Sequence, residues 1–532
     1  MTEYHRDAVH AAVSCKWRTA IRWSTVKYHV LGICVLVVCA SGRVYGQGQT
    51  ASEELARRHY FSGQIFYERG DFAQAIADWQ RVVRQWPESA YADDALIALA
   101  RYYLDVQRDP THALPYLQRV IEQYPDGDQA PFAYYQIGRI QAWYLGRGKD
   151  RFSEARANLE RVATLYPHSP WAGPALIEAG RIAWLTGQSI QARGLCRRAL
   201  HRFPGTHVRT PAVLCLIRAF AHDLRWLTAL RLLADLQPYV QHPSEDRTLR
   251  DVATVLHRFV FRSSRQIITY RIDADFHLSR QIRWKKPMRL LQWSGGWAIA
   301  DRGLKWVILY DPRGRYVRHV AFSGMDVVTI DSRDRVFVAR DTTLMSSEGT
   351  PVRIEIQTDR RKRTVEPAGL AVDAQGVLWM YEKRSRALMG FRWYTARGAA
   401  TRGFMHVATI PIEPRMRVRR LEIDAWQRLW LVHTHPPGVA VFARDGTRLG
   451  TLDTDTWHAE SLDAVGLDTL GFVYVLDRKR RQVGIFRPSG ELLRVLDLRA
   501  LLPRLEPVDM LVMPDGSLYV LDARQRIVIH LQ

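Results

Sequence analysis

Residues 473–477 read Val-Tyr-Val-Leu-Asp and residues 518–522 read Leu-Tyr-Val-Leu-Asp, two nearly identical stretches that begin 45 residues apart. Short runs rich in Val, Ile, Tyr, Phe and Trp, separated by turns rich in Asp and Gly, are typical of β-strands and hairpins. An apolar residue followed by Asp recurs ahead of such runs along the second half of the 532-residue chain, at Ile330-Asp331, Val372-Asp373, Ile423-Asp424 and Leu467-Asp468.

Two further units complete the series. An earlier, divergent unit covers residues 297–314, and the last one carries Met513 where the others have the first Asp. Six units predict an all-β six-bladed propeller of four-stranded sheets. The last unit stops after its third strand at residues 527–530, so we expect the segment 267–284 to complete its sheet. Closure of this kind removes exposed sheet edges.

These propeller motifs resemble NHL repeats over about residues 266–532. The resemblance implies an interaction domain, although some six-bladed propellers are enzymes. A metal-dependent hydrolase or lyase is therefore the alternative to an interaction protein. Such enzymes hold a metal on the propeller axis with Glu, Asn, Asp or His side chains from several blades.

Residues 53–240 show a different repeat, with a period typical of paired helices. The first copy contains Gly63, Ala75, Trp79 and Pro87, and a later copy repeats the distance of 24 residues from the small residue to proline, from Gly180 to Pro204. Small residues let paired helices approach closely, and proline ends the second helix of each pair. The expected domains are an export signal (1–46), helical repeats (51–240), a linker (241–265) and the propeller (266–532).

The helical repeats resemble the tetratricopeptide repeat. The stretches Trp-Pro-Glu-Ser-Ala-Tyr-Ala at 86–92 and Tyr-Pro-His-Ser-Pro-Trp-Ala at 166–172 are similar to the bacterial envelope branch of that family, which includes a lipoprotein subunit of the outer-membrane β-barrel assembly machine. The resemblance implies binding of a protein or peptide partner, without catalysis and without a cofactor.

The N-terminus predicts export. Basic residues between Lys16 and Lys27 precede an apolar run at residues 30–40, and cleavage is expected before Gln47. An uncleaved anchor and a lipid on Cys39 are the alternatives. The predicted location is therefore the periplasm or cell envelope, with membrane contact only through a possible N-terminal anchor.

The chain has a formal net charge of +22. Arg supplies 67 of the 76 basic residues and Asn158 is the single Asn of the chain, which indicates the codon usage of a GC-rich genome. Attraction to an acidic partner or to anionic lipid remains the alternative explanation. Basic clusters lie at 360–363 and 478–481, where we expect solvated loops. Export argues against nucleic acid as a partner.

The helical repeats carry an arginine at one repeated position, after the small residue of the first helix. In the family geometry this position faces the concave groove, and aromatic residues flank it. An arginine ladder with aromatics predicts binding of an extended acidic peptide; the alternatives are internal pairing and arginine-rich composition. The expected groove residues are Arg101, Arg139, Arg181, Arg218, Tyr60, Tyr67, Tyr135, Trp143 and Trp184.

Three other groups of residues have side chains of the kinds that take part in catalysis or metal binding. His433 and His435 are expected to be loop or surface histidines, with a metal site as the alternative, because an i, i+2 pair on a strand points both rings to one face. Cys196 is expected to be a small buried side chain, with a Cys196–Cys215 disulfide as the alternative. The repeated Asp residues are expected to cap backbone amides in turns. The sequence predicts no catalytic residue.

Overall fold

The computed structural model describes residues 39–107, 109–145, 151–240, 243–260, 270–279, 281–347, 352–357, 362–395, 402–413, 416–444 and 446–532. Most of the predicted export signal lies outside the described residues. The chain divides into two compact units. One contains the described residues up to Tyr134 together with Gly205–Arg209, and the other contains Tyr135–Pro204 and Thr210–Gln532. No helix within these ranges is long and apolar enough to cross a membrane.

The first unit is built from paired helices. Gly63 is buried where the first two helices meet, and a Cβ there would lie 2.5 Å from Nε1 of Trp79. The small residue therefore sets the distance between the paired helices, as the repeat pattern predicts. The helices are α1 (Cys39–Arg69), α2 (Phe72–Gln85), α3 (Ala92–Arg101), α4 (Pro110–Gln123) and the first half of α5 (Ala130–Ile140).

The second unit continues the repeats. Gly138 packs on Leu159 and Gly180 packs on Cys196, where an added Cβ would lie 2.7 Å from Cγ and 2.4 Å from Sγ respectively. Cys196 and Cys215 form a disulfide, so the alternative raised from the sequence is the correct one. The helices are α6 (Arg151–Leu165), α7 (Ala172–Leu185), α8 (Ser189–Arg202), the greater part of α9 (Thr206–His222) and α10 (Trp226–Leu236).

The segment 241–265 differs from the expected linker, because helix α11 (Pro243–Val260) occupies most of it. Apolar side chains recur on one face of this helix at intervals of three and four residues, which is the spacing of a packed helix. Val252, Val255 and Leu256 are completely buried.

The predicted order of helical repeats followed by a six-bladed propeller is confirmed. Each of the six sheets is antiparallel, and its strands pair in chain order. The first three sheets contain β1 (Pro287–Trp293), β2 (Gly296–Asp301), β3 (Trp306–Tyr310) and β4 (Tyr316–Ala321); β5 (Val327–Ile330), β6 (Val336–Arg340), β7 (Thr343–Ser346) and β8 (Val352–Arg353); and, after a hairpin of β9 (Glu355–Gln357) and β10 (Lys362–Thr364), β11 (Pro367–Val372), β12 (Val377–Glu382), β13 (Ala387–Thr395) and β14 (Arg402–Pro411).

The remaining three sheets repeat this plan. They contain β15 (Val418–Ile423), β16 (Leu429–Thr434), β17 (Pro437–Phe442) and β18 (Arg448–Thr451); β19 (Leu462–Leu467), β20 (Val473–Asp477), β21 (Gln482–Phe486) and β22 (Leu492–Asp497); and, after the short helix α12 (Leu498–Leu501), β23 (Pro507–Val512), β24 (Leu518–Asp522) and β25 (Ile527–Leu531).

The sixth sheet is closed by the start of the domain, as predicted. Ile272 forms an antiparallel bridge with Leu531. Arg271 and Gln532 exchange backbone hydrogen bonds of 3.0 Å in both directions. The first strands of successive sheets are in contact around the ring, and β23 contacts β1. Apolar cores lie between neighbouring sheets, for example where Trp430 packs with Trp457.

Candidate functional site

The repeated Asp residues of the propeller cap turns, as the sequence predicts. Asp424 lies between β15 and β16, and its Oδ1 accepts from the amides of Trp426 and Arg428 at 2.9 Å. Its Oδ2 accepts from Nε of Arg428 and from Nε1 of Trp430. Asp373 and Asp468 accept amide hydrogen bonds at the same positions of their turns. These aspartates hold the turns through hydrogen bonds to backbone amides.

Helices α7 and α9 pack on the turns between the first and second strands of the fourth and fifth sheets. Trp184 is completely buried, and its ring lies edge to face with that of Trp426, at 5.1 Å between centroids. Nε of Arg218 donates to the carbonyl of Thr469 at 3.2 Å. Nε2 of His222 donates to the carbonyl of Leu470 at 2.9 Å.

Trp184 and Arg218 therefore lie where helices α7 and α9 contact the propeller, and not in an open groove. This corrects the assignment made from the sequence. The repeat position places them on the inner face of the helices, and the propeller turns cover that face. Burial lowers the pKa of Arg218 to about 10, and the nearby charge of Arg181 acts in the same direction.

A second cluster, which we call the Glu178 cluster, surrounds the buried carboxylate of Glu178 in the repeats. Arg181 forms an ion pair with Glu178. Nε1 of Trp143 donates to the same carboxylate at 2.9 Å. The guanidinium of Arg181 stacks over Trp143, at 5.3 Å from the ring centroid, and that of Arg139 stacks over Tyr135 at 5.5 Å.

The Glu178 cluster carries two guanidinium charges and one carboxylate. Burial by itself would raise the pKa of Glu178, but the charges of Arg181 and Arg139 and the indole hydrogen bond lower it below its usual range. The carboxylate is therefore ionised, and two guanidinium groups lie close enough to act on it. Sequence reasoning missed Glu178, although its place three residues before Arg181 on one helix is a detectable pairing signal.

The remaining groove residues lie in the first unit. The guanidinium of Arg101 stacks over Phe132 at 4.8 Å from the ring centroid. Tyr67 packs against Trp79. Gln64 donates to the hydroxyl of Tyr60 at 3.1 Å, while burial and the charge of Asp94 raise the pKa of Tyr60 to about 12.

His433 and His435 do not share a face. His433, in β16, is buried, and its Nδ1 donates to the carbonyl of Pro436 at 2.6 Å. His435 lies beyond the strand and is exposed, with Nδ1 at 3.0 Å from the hydroxyl of Thr434. The expectation of a loop or surface position is correct for His435 and wrong for His433, because the latter belongs to a central strand of its sheet. Burial lowers the pKa of His433.

The inner strands of the propeller carry a network of ion pairs, which we call the axial network. Nη2 of Arg289 donates to Oε1 of Glu422 at 2.8 Å, which links the first sheet to the fourth, on opposite sides of a six-membered ring. Arg289 also donates to the carbonyl of Val328. Arg420 donates to Glu422 at 2.7 Å and forms an ion pair with Asp509 of the sixth sheet. The network has two cations and two anions.

The charges of the axial network stabilise one another. Burial by itself would raise the pKa of Glu422, but Arg289 and Arg420 lower it. Burial raises the pKa of Asp509, against the opposing effect of Arg420. Both carboxylates are thus held by guanidinium groups. No local sequence pattern predicts this arrangement, because its members lie on three different sheets.

One cluster of described residues has the donor types for a cation. Carboxylate oxygens of Asp93, Asp94 and Asp128 lie within 4.8 Å of one another. Asp94 accepts from the side-chain amide of Gln129 at 2.7 Å, and Asp93 accepts from the amide of Asp94 at 2.9 Å. Two of the three carboxylates therefore already accept hydrogen bonds within the protein.

Of the two basic clusters, the one at 478–481 lies in a turn of the fifth sheet. In the cluster at 360–363, Arg360 and Arg361 lie outside the described residues, and Lys362 begins β10.

Residues 52–172 match the family model described as YfiO, outer membrane lipoprotein. The helical repeats resemble this lipoprotein. A curated relative, outer membrane protein assembly factor BamD of Pasteurella multocida (strain Pm70), is 28% identical over 131 residues. The match covers 22% of this chain and 50% of the relative, so the chain spans about half the length of the curated protein that it matches.

Solved structures with similar folds match each part of the chain. A streptogramin B lyase matches 51% of this chain and 89% of its own, with a TM-score of 0.35 and 10% identity. PilW, a type IV pilus biogenesis factor, matches 39% of this chain and 86% of its own, with a TM-score of 0.30 and 17% identity. Scores at this level carry no functional argument.

Proposed function

We propose that this chain is an exported, non-enzymatic scaffold of the bacterial cell envelope, whose helical repeats bind an acidic protein or peptide. The two guanidinium groups of the Glu178 cluster, each stacked on an aromatic ring, carry the proposal. Its aromatic walls are fixed, and Arg181 retains 23% of its side-chain exposure. A carboxylate of a partner can therefore accept charge-assisted hydrogen bonds from these guanidinium groups.

The comparisons and the disulfide support the location. The helical repeats are similar to an outer membrane lipoprotein and to an outer membrane assembly factor, which act in the envelope. The Cys196–Cys215 disulfide is of the kind that persists in oxidising compartments such as the bacterial periplasm. Protein partners in an envelope complex are the corresponding expectation for this chain.

The axial network disfavours the alternative, a metal-dependent hydrolase or lyase. An axial metal needs carboxylates that are available as ligands. Glu422 and Asp509 are held by the guanidinium groups of Arg289 and Arg420, which place positive charge where a cation would have to bind. Titration with Ca²⁺ and Zn²⁺ tests this point, and binding of one ion per chain would favour the enzyme.

The groove proposal is tested by a matched pair of variants. Arg139→Gln removes one of the two guanidinium charges of the Glu178 cluster, whereas Arg161→Gln removes an exposed charge from α6 of the same unit. Partners are captured by crosslinking in the native envelope, identified by mass spectrometry, and then titrated. We expect Arg139→Gln to weaken binding about 10-fold or more, with Arg161→Gln unchanged. Equal affinity of Arg139→Gln and the parent would refute the proposal. Arg181 is not a suitable test position, since its loss leaves Glu178 buried without its ion pair.

A further inference from the structure

The turns between the second and third strands of the six sheets carry a repeated positive charge. These turns contain eleven Lys and Arg residues and a single carboxylate, Asp341, and Arg340, the last residue of β6, adds a twelfth cation. Four of the second strands end in a buried carboxylate, namely Asp301, Glu382, Asp477 and Asp522. The turn of the fourth sheet has His435 in place of Lys or Arg. The cations are Arg302, Lys305, Arg340, Lys383, Arg384, Arg386, Arg478, Lys479, Arg480, Arg481, Arg524 and Arg526.

The topology brings these six turns to one face of the propeller. All strands within a sheet pair antiparallel in chain order, so the second and third strands are joined at the end where the first strand begins. Asp301, at the end of β2, accepts from the amides of Lys285 and Lys286 just before β1. Glu506 forms ion pairs with Arg481 and Arg524, which belong to turns of neighbouring sheets. We call this surface the cationic face.

Helices α7, α9 and α11 contact the propeller at its other end. Their partners lie in the turns between first and second strands, where Arg218 reaches Thr469 and Arg258 donates to the carbonyl of Asp515 at 3.0 Å. These helices therefore do not cover the cationic face. Ten of its twelve cations are exposed, and Arg480 and Arg481 are half-buried.

The two faces of the propeller differ in the residue types that occupy turn positions with positive φ. On the face that the helices contact, six of the turn positions with positive φ are glycine, namely Gly314, Gly376, Gly446, Gly471, Gly490 and Gly516. In the second-to-third-strand turns the corresponding positions are Lys305, Asp341, Arg386, Arg481 and Arg526, with φ between 51° and 62°. A left-handed conformation costs an ordinary residue about 1–2 kcal/mol, and glycine avoids this cost. Four cations thus stand where glycine would fold more easily.

Carboxylates neutralise only part of this charge. Carboxylates that form ion pairs with these cations include Asp326, Asp341, Glu366, Glu460 and Glu506. With the four buried carboxylates at the strand ends included, the twelve cations still outnumber these nine carboxylates, and exposed cations lie in or beside five of the six turns.

The distribution of the charge identifies the kind of partner. With strands about 4.8 Å apart, the turns lie on a circle of roughly 15 Å radius. Neighbouring turns are then roughly 15 Å apart, farther than the screening length of about 8–10 Å. An extended peptide or a nucleic-acid strand would contact one or two turns, whereas a planar surface contacts all of them. Stacking on bases requires aromatic side chains, and these six turns contain none.

We propose that the cationic face docks on an anionic lipid surface, independently of the peptide-binding repeats. Each Lys or Arg near such a surface contributes a similar increment of binding. The proposal explains why the cations recur in successive turns and remain exposed.

The test uses the full chain and vesicles of phosphatidylglycerol with phosphatidylcholine, compared with vesicles of phosphatidylcholine alone. The double variant Lys383→Gln with Arg478→Gln removes two exposed cations from the cationic face. The matched control, Arg313→Gln with Arg333→Gln, removes two exposed cations from turns at the opposite end. We expect parent and control to bind only the phosphatidylglycerol vesicles, and the cationic-face variant to bind them about 30-fold more weakly. Circular dichroism verifies that each variant folds.

Three outcomes would overturn the proposal. The parent could bind both kinds of vesicle equally or neither. Both double variants could lose the same affinity, in which case net charge alone governs binding. Finally, the parent could bind a single-stranded oligonucleotide more tightly than the vesicles, with loss only in the cationic-face variant, which would assign the surface to nucleic acid.

Discussion

The indole of Trp184 in α7 meets the indole of Trp426 in the propeller edge to face, with the ring centroids 5.1 Å apart. His222 lies against Trp184 on the helical side, and Gly471 lies against it on the propeller side. A Cβ on Gly471 would come within 3.2 Å of both tryptophan rings. The last repeats and the propeller are therefore packed together through an interior of aromatic rings.

The disulfide should stabilise the last repeats. It joins residues 19 apart in the sequence, and closing a loop of this length stabilises a protein by about 3 kcal/mol. We expect the variant Cys196→Ala with Cys215→Ala to unfold at lower urea concentration than the parent. Reductant should shift the parent toward the variant and leave the variant unchanged. A parent that is insensitive to reductant while the thiols are titratable would contradict this role.

His222 should make the folded state less stable in acid. Burial lowers its pKa from 6.5 to about 4, so between these values the unfolded chain binds a proton that the folded chain does not. Stability is then present above pH 6.5 and falls as the pH drops toward 4, by on the order of 3 kcal/mol. His222→Gln keeps a donor for the carbonyl of Leu470 and should remove this loss. Urea unfolding across this pH range is the measurement, and an unchanged pH profile of the variant would exclude the assignment.

Asp468 should make the folded state less stable as the pH rises, which is the opposite of the effect of His222. Unlike Asp424, which pairs with Arg428, it has Phe472 at the fourth following position and accepts from the hydroxyl of Tyr474 at 3.0 Å. Burial raises its pKa from 3.8 to about 7, so the folded chain holds a proton that the unfolded chain releases. Stability is thus lost as the pH rises from about 4 to 7, by on the order of 4 kcal/mol.

The variant Asp468→Asn isolates this effect. Relative to the parent, it should gain stability steadily as the pH rises through this range, while Asp455→Asn, an exposed control, should follow the parent. A constant difference between Asp468→Asn and the parent at all pH values would mean that Asp468 is ionised in the folded state.

Removing one member of the axial network should destabilise the protein more than replacing a paired cation and anion together. Arg420→Met leaves Glu422 and Asp509 with fewer compensating charges, and loss of one partner of a buried pair costs about 3–5 kcal/mol. The double variant Arg420→Met with Asp509→Leu should be more stable than Arg420→Met alone. Urea unfolding of the parent and the variants provides the measurement. Additive effects of the two substitutions would show that the pair is not coupled.

Local patterns in the sequence predicted the local parts of the structure. The amides that Asp424 caps lie two and four residues ahead of it, and Gly63 and Trp79 occupy fixed positions in one repeat. The turn caps, the helix pairs and the six sheets could therefore be predicted. The amphipathic spacing in α11 was also present in the sequence, although the segment was assigned to a linker.

Long-range contacts explain what the sequence did not predict. Arg218 and Arg181 occupy the same repeat position, yet Arg218 is covered by a propeller turn about 250 residues away along the chain and Arg181 pairs within its own helix. Arg289 and Glu422 are separated by 133 residues and belong to different sheets. A repeat position specifies the direction of a side chain but not what covers it. The covering of Arg218 and the pairing of Arg289 with Glu422 are therefore visible only in the tertiary structure.

The bridge between Ile272 and Leu531 also determines when the propeller can close during synthesis. Helix pairs form from neighbours in sequence and can fold as they leave the ribosome. The sixth sheet needs residues from both ends of a 260-residue stretch, so the ring stays open until that stretch has emerged. During this interval the edges of the sheets are exposed to other chains. The propeller is therefore the part of this protein for which a chaperone would matter most.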